Sequence, residues 1–286
     1  MATKADTDRL PAFGEHAGHA KRDTLRSSVG GAPERYVVAR LERRRQQMSA
    51  TRQSVRILDV GCGRGDTVAW LLSEGWDAWG VDVAADYLAR GRPHLMRAGY
   101  TGDRLRLIPD DGNLPFEPGS FDVILSNQVV EHVRDLEPFV DGIRGVTRPG
   151  AVGLHVFPAR WRLVEPHMRM PFVHWVPKGP VREQAIKMML RIGAGAPYFA
   201  EYRINERAVI FATFSHEETF YRPVSQIREI FRDHGFACSV SIPSRLKLKG
   251  RLPIVARPLA PALAPLYWTF GSVYLETVRR AGHREA

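Results

Sequence analysis

Hydrophobic and polar positions follow two different periods along this chain, and their order predicts an α/β protein. Short apolar runs that end in a polar residue predict strands, whereas apolar residues three or four positions apart predict helices. The two patterns alternate, which is typical of a parallel sheet with helices on both faces. The predicted strands cover 55–60, 77–82, 104–108, 121–126, 151–157, 236–242 and 267–278. The predicted helices cover 33–47, 66–74, 84–99 (interrupted by Pro93), 135–146, 181–192 and 223–234.

Three glycines at alternate positions follow the first predicted strand: Gly61, Gly63 and Gly65. Glycine permits a positive φ and the close approach of a ligand to the backbone. The spacing is not the G-x-G-x-x-G of dinucleotide sites, and no Lys-Ser/Thr pair of a phosphate-binding loop follows it. Asp82 ends the next strand, where an acid is placed to accept hydrogen bonds from ribose hydroxyls. These features predict a nucleoside-containing cofactor without a pyrophosphate.

The run Ile57–Gly65 resembles the first motif of class I S-adenosylmethionine (SAM) dependent methyltransferases. More precisely, the chain resembles methyltransferases of type 11, with a distant similarity to those of ubiquinone and menaquinone biosynthesis. Further matches follow in the family's order: Asp82 as the ribose acid, Asp110 as the adenine acid, 121–133 as strand four with its loop, 147–150 as the turn before strand five, and 220–236 as the late helix.

This resemblance implies a doubly wound, Rossmann-like sheet of seven strands, SAM as the cofactor and methyl transfer as the activity. We further expect a lid of helix and loop to be inserted after strand five. The cofactor-binding residues that it implies are Asp59, Gly61, Cys62, Gly63, Asp82, Val83, Asp110, Asp111, Asn127, Gln128 and His132.

The alternation of elements divides the chain into four parts. We expect a flexible N-terminus with a leading helix (1–50), a SAM-binding core (51–157), a substrate lid (158–222) and the C-terminal part of the sheet (223–286). The inserted part follows the carboxyl end of a strand, where ligands bind in open α/β sheets, and this favours a lid. Alternatively, Trp161, Phe172 and Trp175 only pack the insertion onto the sheet. The first 25 residues are expected to be poorly ordered or to close over the cofactor.

Methyl transfer from a sulfonium chiefly requires alignment of the acceptor and exclusion of water. A general base is needed where the acceptor is a weakly acidic hydroxyl or a protonated amine. His132, His155, His167 and His174 are the histidines considered, and His167 and His174 are the catalytic candidates because they lie in the predicted lid. A structural role is expected for His132. No metal is expected, because Gln128 replaces the first acid of the acid-x-x-acid-His pattern of ubiquinone-type O-methyltransferases.

Charge is unevenly distributed along the chain, whose net charge is +10. Residues 57–157 hold 9 basic and 15 acidic side chains, so the predicted core is acidic and the flanking parts are basic. An acidic pocket suits a cationic cofactor, and basic flanks favour an anionic substrate, a membrane surface or a nucleic acid. A solvated basic surface is the alternative. The loop 244–257 mixes cations with aliphatic residues, which suggests peripheral contact with an anionic bilayer.

The sequence is compatible with three functions. The favoured one is methyl transfer to a small-molecule or lipid-linked acceptor, at oxygen, in the cytoplasm or at the membrane periphery. A methyltransferase of RNA or protein is the second, although no RNA-binding module is recognised. A catalytically silent SAM-fold scaffold is the third. The two cysteines suggest no disulfide framework, and the polar N-terminus has no apolar core of a signal peptide.

Overall fold

The computed structural model describes residues 32–241 and 271–281, and every structural statement below concerns these residues. One seven-stranded sheet has the order β3-β2-β1-β4-β5-β7-β6. Strands β1 to β5 are parallel, and β7 runs antiparallel to both β5 and β6. The strands are β1 Arg56–Val60, β2 Asp77–Asp82, β3 Leu105–Leu107, β4 Phe121–Asn127, β5 Thr147–Pro158, β6 Phe236–Ser241 and β7 Ser272–Arg279.

Seven α-helices accompany the sheet in the described ranges. They are α1 Arg35–Gln47, α2 Asp66–Ser73, α3 Ala85–Arg97, α4 Leu136–Val146, α5 Pro180–Arg191, α6 Ile204–Glu217 and α7 Val224–Asp233. The predicted doubly wound α/β fold is confirmed. The predictions for the first 31 residues and for the loop 244–257 lie outside the described residues.

Both faces of the sheet are covered, because neighbouring residues of a strand point to opposite faces. Ile57 of β1 packs in a core with α1, α2 and α3, whereas its neighbour Leu58 packs in a second core with α4 and α7. The sheet lies between the two cores. This explains why the central strands are apolar at consecutive positions instead of alternating.

Two expectations for individual elements differ from the structure. Strand β5 begins at Thr147, so the predicted turn 147–150 is part of the strand. The reason is a register shift: Phe121 pairs with Thr147, but Val123 already pairs with Val152, so the intervening residues bulge out of the ladder. Pro93 does not divide α3, which is continuous.

The insertion between β5 and α7 has a hydrophobic core of its own. Helices α5 and α6 pack on each other around Ile186, Leu190, Phe211 and Phe214. Helix α5 agrees with the helix predicted at 181–192, whereas α6 was not predicted. Its buried residues include Ala208 and Ala212, whose small side chains give a weak apolar period.

Candidate active site

The carboxyl ends of β1, β2 and β4 meet at the centre of the sheet. Between β1 and β4 the strand order reverses, and ligands bind at such a switch point in open α/β sheets. The glycine loop connects β1 to α2 at this edge. Asp59 of β1 pairs with Gly80 of β2 and with Leu125 of β4, so the candidate residues of three strands converge here.

The glycine loop is held against the end of β2 by its backbone. The amides of Gly61 and Cys62 both donate to the carbonyl of Val81, at 2.8 and 3.0 Å. The amide of Gly63 donates to Oδ2 of Asp82 at 2.7 Å. This hydrogen bond holds the glycine loop against Asp82. The other carboxylate oxygen of Asp82, Oδ1, accepts a hydrogen bond from the amide of Ala84 at 2.9 Å.

The surroundings of Gly61 and Gly63 differ in the space that they leave for a side chain. Gly61 has a φ of +73°, and a Cβ there would lie 2.3 Å from Cγ2 of Val129 in the loop after β4. Gly63 has a φ of +57°, but a Cβ there would meet nothing within 4 Å. The backbone is therefore tightly packed at Gly61 and open at Gly63. This opening lies directly beside Asp82 and is the place where a ligand can approach the loop.

Two carboxylates of the candidate site are buried. Asp59 is 5% exposed and Asp82 is 8% exposed. Burial, and then the charge of Asp82, raise the pKa of Asp59 to about 7. Burial also raises the pKa of Asp82, although hydrogen bonds from Ala84 and Gly63 oppose the shift. A bound positive charge would stabilise the ionised forms of both carboxylates and lower both pKa values.

A small cavity of about 30 Å³ opens beside Asp59. Its walls come from the ends of β1, β4 and β5 and from the residues that precede α1. They include Pro33, Glu34, Asp59, Ser126 and Asn127. The start of α1 is anchored here because the hydroxyl of Tyr274 in β7 donates to Glu34 at 2.7 Å. Pro33 and Glu34 therefore cover part of the candidate site.

The remaining predicted cofactor residues surround the same edge. Val83 is 74% exposed, and Asn127 and Asp110 are also exposed. Asp111, in the loop after β3, accepts hydrogen bonds from the backbone and the side chain of Asn113. These two hydrogen bonds lower the pKa of Asp111.

Gln128 and Cys62 complete the predicted cofactor set. Gln128 has a left-handed backbone with a φ of +59°, and its amide donates to the carbonyl of Val156. Burial, Asp59 and Asp82 raise the pKa of Cys62, so its thiol is neutral and does not act as a nucleophile. Gly80 leaves the space for this thiol, because a Cβ at Gly80 would lie 2.7 Å from Sγ.

The four histidines that were considered have different environments. His155 is fully buried in β5, its Nδ1 lies 2.8 Å from the hydroxyl of Ser126, and burial lowers its pKa to about 3. It is a neutral core residue. His174 is 7% exposed, packs on Tyr221 and has a pKa lowered to about 4 by burial and by Arg182.

His132 and His167 lie together, with ring centroids 4.8 Å apart. Nδ1 of His132 donates to the carbonyl of Glu218 at 2.6 Å, which joins the loop after β4 to the insertion. One ligand atom each of Glu131, His132 and His167 lie within 4.8 Å of one another. The sequence could not reveal this group, because His167 comes from the insertion.

Several buried polar residues of the insertion were also missed. Glu165 is fully buried, accepts from the hydroxyl of Tyr221 at 2.5 Å and accepts from the amide of Met168. Arg182 is 6% exposed and donates to the carbonyl of Val176 and the hydroxyl of Ser215. A single acid or arginine in an irregular stretch gives no periodic signal, so only the contacts reveal these roles.

Residues 58–154 match the family model described as "Methyltransferase domain". This segment of the chain is therefore similar to methyltransferase domains. This confirms the resemblance to SAM-dependent methyltransferases. The ubiquinone biosynthesis O-methyltransferase of Acinetobacter baumannii (strain AYE) is 31% identical over 102 residues, which cover 36% of this chain and 42% of the relative. The enzyme of the same name from Methylococcus capsulatus is 33% identical over 95 residues, covering 33% of this chain and 40% of the relative.

The chain thus spans about two fifths of the length of these curated relatives in each alignment. Among solved structures, phosphoethanolamine N-methyltransferase 2 of Haemonchus contortus, in complex with S-adenosyl-L-methionine, has a TM-score of 0.51 and 15% identity. The alignment covers 96% of this chain and 61% of that one, and it shows a shared fold. In the described part of the chain, no helix combines the length and the apolarity needed to cross a bilayer.

Proposed function

We propose that this chain transfers the methyl group of SAM to an oxygen of a small-molecule or lipid-linked acceptor. The observation that carries the proposal is the open backbone at Gly63, whose amide donates to the buried carboxylate of Asp82, together with the buried carboxylate of Asp59 that lines the small cavity. SAM supplies a methyl group on a positively charged sulfur, together with an ammonium group and ribose hydroxyls. Each of these groups complements an acidic pocket with an open backbone.

The residues at the opening fit this cofactor. Asp82 has a carboxylate next to the glycine loop for the ribose, and Asp59 faces the cavity where a cationic group would lower its raised pKa. Val83 offers an exposed apolar surface next to Asp82 for the adenine. Asp110, Asp111, Asn127, Gln128 and His132 remain proposed contacts on the surrounding loops.

At the acceptor end we assign proton transfer to His167, with His132 as its neighbour. Nδ1 of His132 donates to the Glu218 carbonyl, so its Nε2 is the acceptor nitrogen in the neutral ring. His174 is retained as the second candidate, but its lowered pKa makes it a weak base near neutral pH. The insertion 158–222 would exclude water from this end, which is the proposed role of a lid.

Two considerations support a small acceptor and an oxygen atom. The named relatives over the matched segment are O-methyltransferases. A histidine base also suits a hydroxyl, which must lose a proton as the new bond forms. Methyl transfer to RNA or protein stays an alternative that rests on the basic flanks, and peripheral contact with a membrane stays a prediction.

Calorimetric titration with SAM tests the first requirement of the proposal, which is that the chain binds SAM. We expect binding to the wild-type chain and a loss of at least about tenfold in affinity for Asp82→Asn, because a charge-assisted hydrogen bond is lost. Asp86→Asn is the matched control, since Asp86 is an exposed acid on α3 that pairs with Arg90. Absence of SAM binding to the wild-type chain would favour a silent scaffold. Salt-sensitive retention on RNA would instead favour the nucleic-acid alternative.

A further inference from the structure

Three cations surround one aromatic ring near the acceptor end. Nζ of Lys178 lies 4.1 Å from the centre of the Phe220 ring, Cζ of Arg134 lies at 5.4 Å and Cζ of Arg222 lies at 5.9 Å. We call Arg134, Lys178 and Arg222 the Phe220 cation cluster. An aromatic face attracts cations, so the ring holds three positive charges close together.

The cluster is fixed to the loop that follows β4. The amide of Phe220 donates to the carbonyl of Glu131 at 2.6 Å, and Arg222 donates to the carbonyls of Val133 and Arg134. His132 of the same loop donates to Glu218. These hydrogen bonds place the cluster beside His132 at the carboxyl edge of the sheet, where the acceptor is expected to bind.

No carboxylate lies within ion-pair distance of the three cations in the described ranges 32–241 and 271–281. Asp135 acts on Arg222 only at longer range. Two members of the cluster are oriented by the backbone, since Nζ of Lys178 donates to the carbonyl of His216 at 2.6 Å and Arg222 donates to three carbonyls. Cations held together without an acid repel one another, and an anion would relieve that repulsion.

The protonation of Lys178 agrees with this picture. Partial burial, followed by the charges of Arg182, Arg134 and Arg222, lowers the pKa of Lys178 to about 8. A bound anion would raise this pKa again, because an opposite charge favours the ammonium form. Binding of an anion near pH 8 is therefore coupled to the uptake of a proton by the amine.

We propose that the Phe220 cation cluster binds a phosphate group of the methyl acceptor, with Arg134, Lys178 and Arg222 as its ligands. This inference rests on the proposed function for the identity of the ligand as the acceptor. The geometry itself supports the binding of any phosphate-bearing molecule that is small enough to reach the loop after β4. Arginine and lysine bind a phosphate in different ways: the planar guanidinium of arginine donates two parallel hydrogen bonds, whereas the ammonium of lysine acts as a point charge.

The test is calorimetric titration of the full chain with phenyl phosphate and with inorganic phosphate at pH 8, in two buffers of different ionisation enthalpy. We expect binding with net proton uptake, and a loss of about tenfold in affinity for the double variant Lys178→Gln/Arg134→Gln. The matched control is Lys187→Gln/Arg191→Gln on α5, which removes the same two charges elsewhere on the insertion. The single variant Lys178→Gln should abolish the proton uptake while retaining part of the affinity.

Three outcomes would overturn the phosphate site. They are no binding at concentrations on the order of 10 mM, equal weakening in the control variant, and binding only to anionic phosphatidylglycerol vesicles but to neither soluble phosphate. SAM is titrated separately into the same protein, with and without phenyl phosphate. A chain that binds phosphate but not SAM would keep the site and refute the proposed function, whereas the reverse result would refute the site alone.

Discussion

The buried carboxylate of Asp59 makes a quantitative prediction about pH. Burial, which penalises the charged form, is the chief cause that raises the pKa of Asp59 from its ordinary value of 3.8 to about 7 in the folded chain. The folded state therefore holds a proton that the unfolded state has lost at intermediate pH. Stability is highest below the unfolded pKa, and it falls as the pH rises through the folded pKa.

The magnitude follows from the size of the shift. A rise of about three pKa units, at about 1.4 kcal/mol per unit, corresponds to a penalty of about 4 kcal/mol when Asp59 is fully ionised. About 2–3 kcal/mol of this penalty develops between pH 5 and pH 8. Asp59→Asn removes the titrating group, so the variant should gain this amount relative to the wild type over that interval.

The assay is urea denaturation of both proteins at several values between pH 5 and pH 8, with Asp86→Asn as the exposed control. The difference in unfolding free energy between Asp59→Asn and the wild type should grow with pH, and the control should follow the wild type. Because a cation stabilises the ionised carboxylate, SAM affinity of the wild type should also rise across pH 7. Parallel stability curves for Asp59→Asn and the wild type would refute the assignment of a raised pKa.

Three further predictions concern the same region. Gly63→Ala should cost about 1 kcal/mol through its positive φ and should abolish SAM binding, whereas Gly75→Ala, with a similar φ and free space, should cost the same and leave titration with SAM unchanged. Tyr221→Phe should destabilise the chain by about 1–3 kcal/mol in urea denaturation, because Glu165 loses a buried hydrogen-bond donor; an unaltered midpoint would contradict this. Removal of metals with EDTA should leave methyl transfer unaffected, and activity that recovers only with a divalent cation would assign a metal to Glu131, His132 and His167.

The strands and the glycine loop of the core can be predicted from the sequence because they depend on residues that are close together in the chain. Apolar runs ending at Val60 and Asp82 predict strands within a residue or two of their bounds, since strand faces alternate in a simple period. The glycine loop and Asp82 were also paired correctly from their spacing, and the amide of Gly63 does bond to that carboxylate.

The insertion was less predictable for a physical reason. Its loops depend on single side-chain contacts, such as the hydrogen bond of Trp175 to the carbonyl of Arg162, and these leave no periodic trace. The exposed positions of Trp161 and Phe172 contrast with the suggestion that they pack the insertion onto the sheet. Their rings instead contact Trp175 within the insertion.

The sequence by itself determined the doubly wound sheet, the glycine loop and the acid at the end of β2, because each depends on residues that are close in the chain. Only the tertiary structure brought His167 against His132 and gathered Arg134, Lys178 and Arg222 around Phe220. These groups combine residues more than 30 positions apart, and their charges and pKa values depend on burial and on neighbours. Such properties arise only when the insertion packs on the loop after β4.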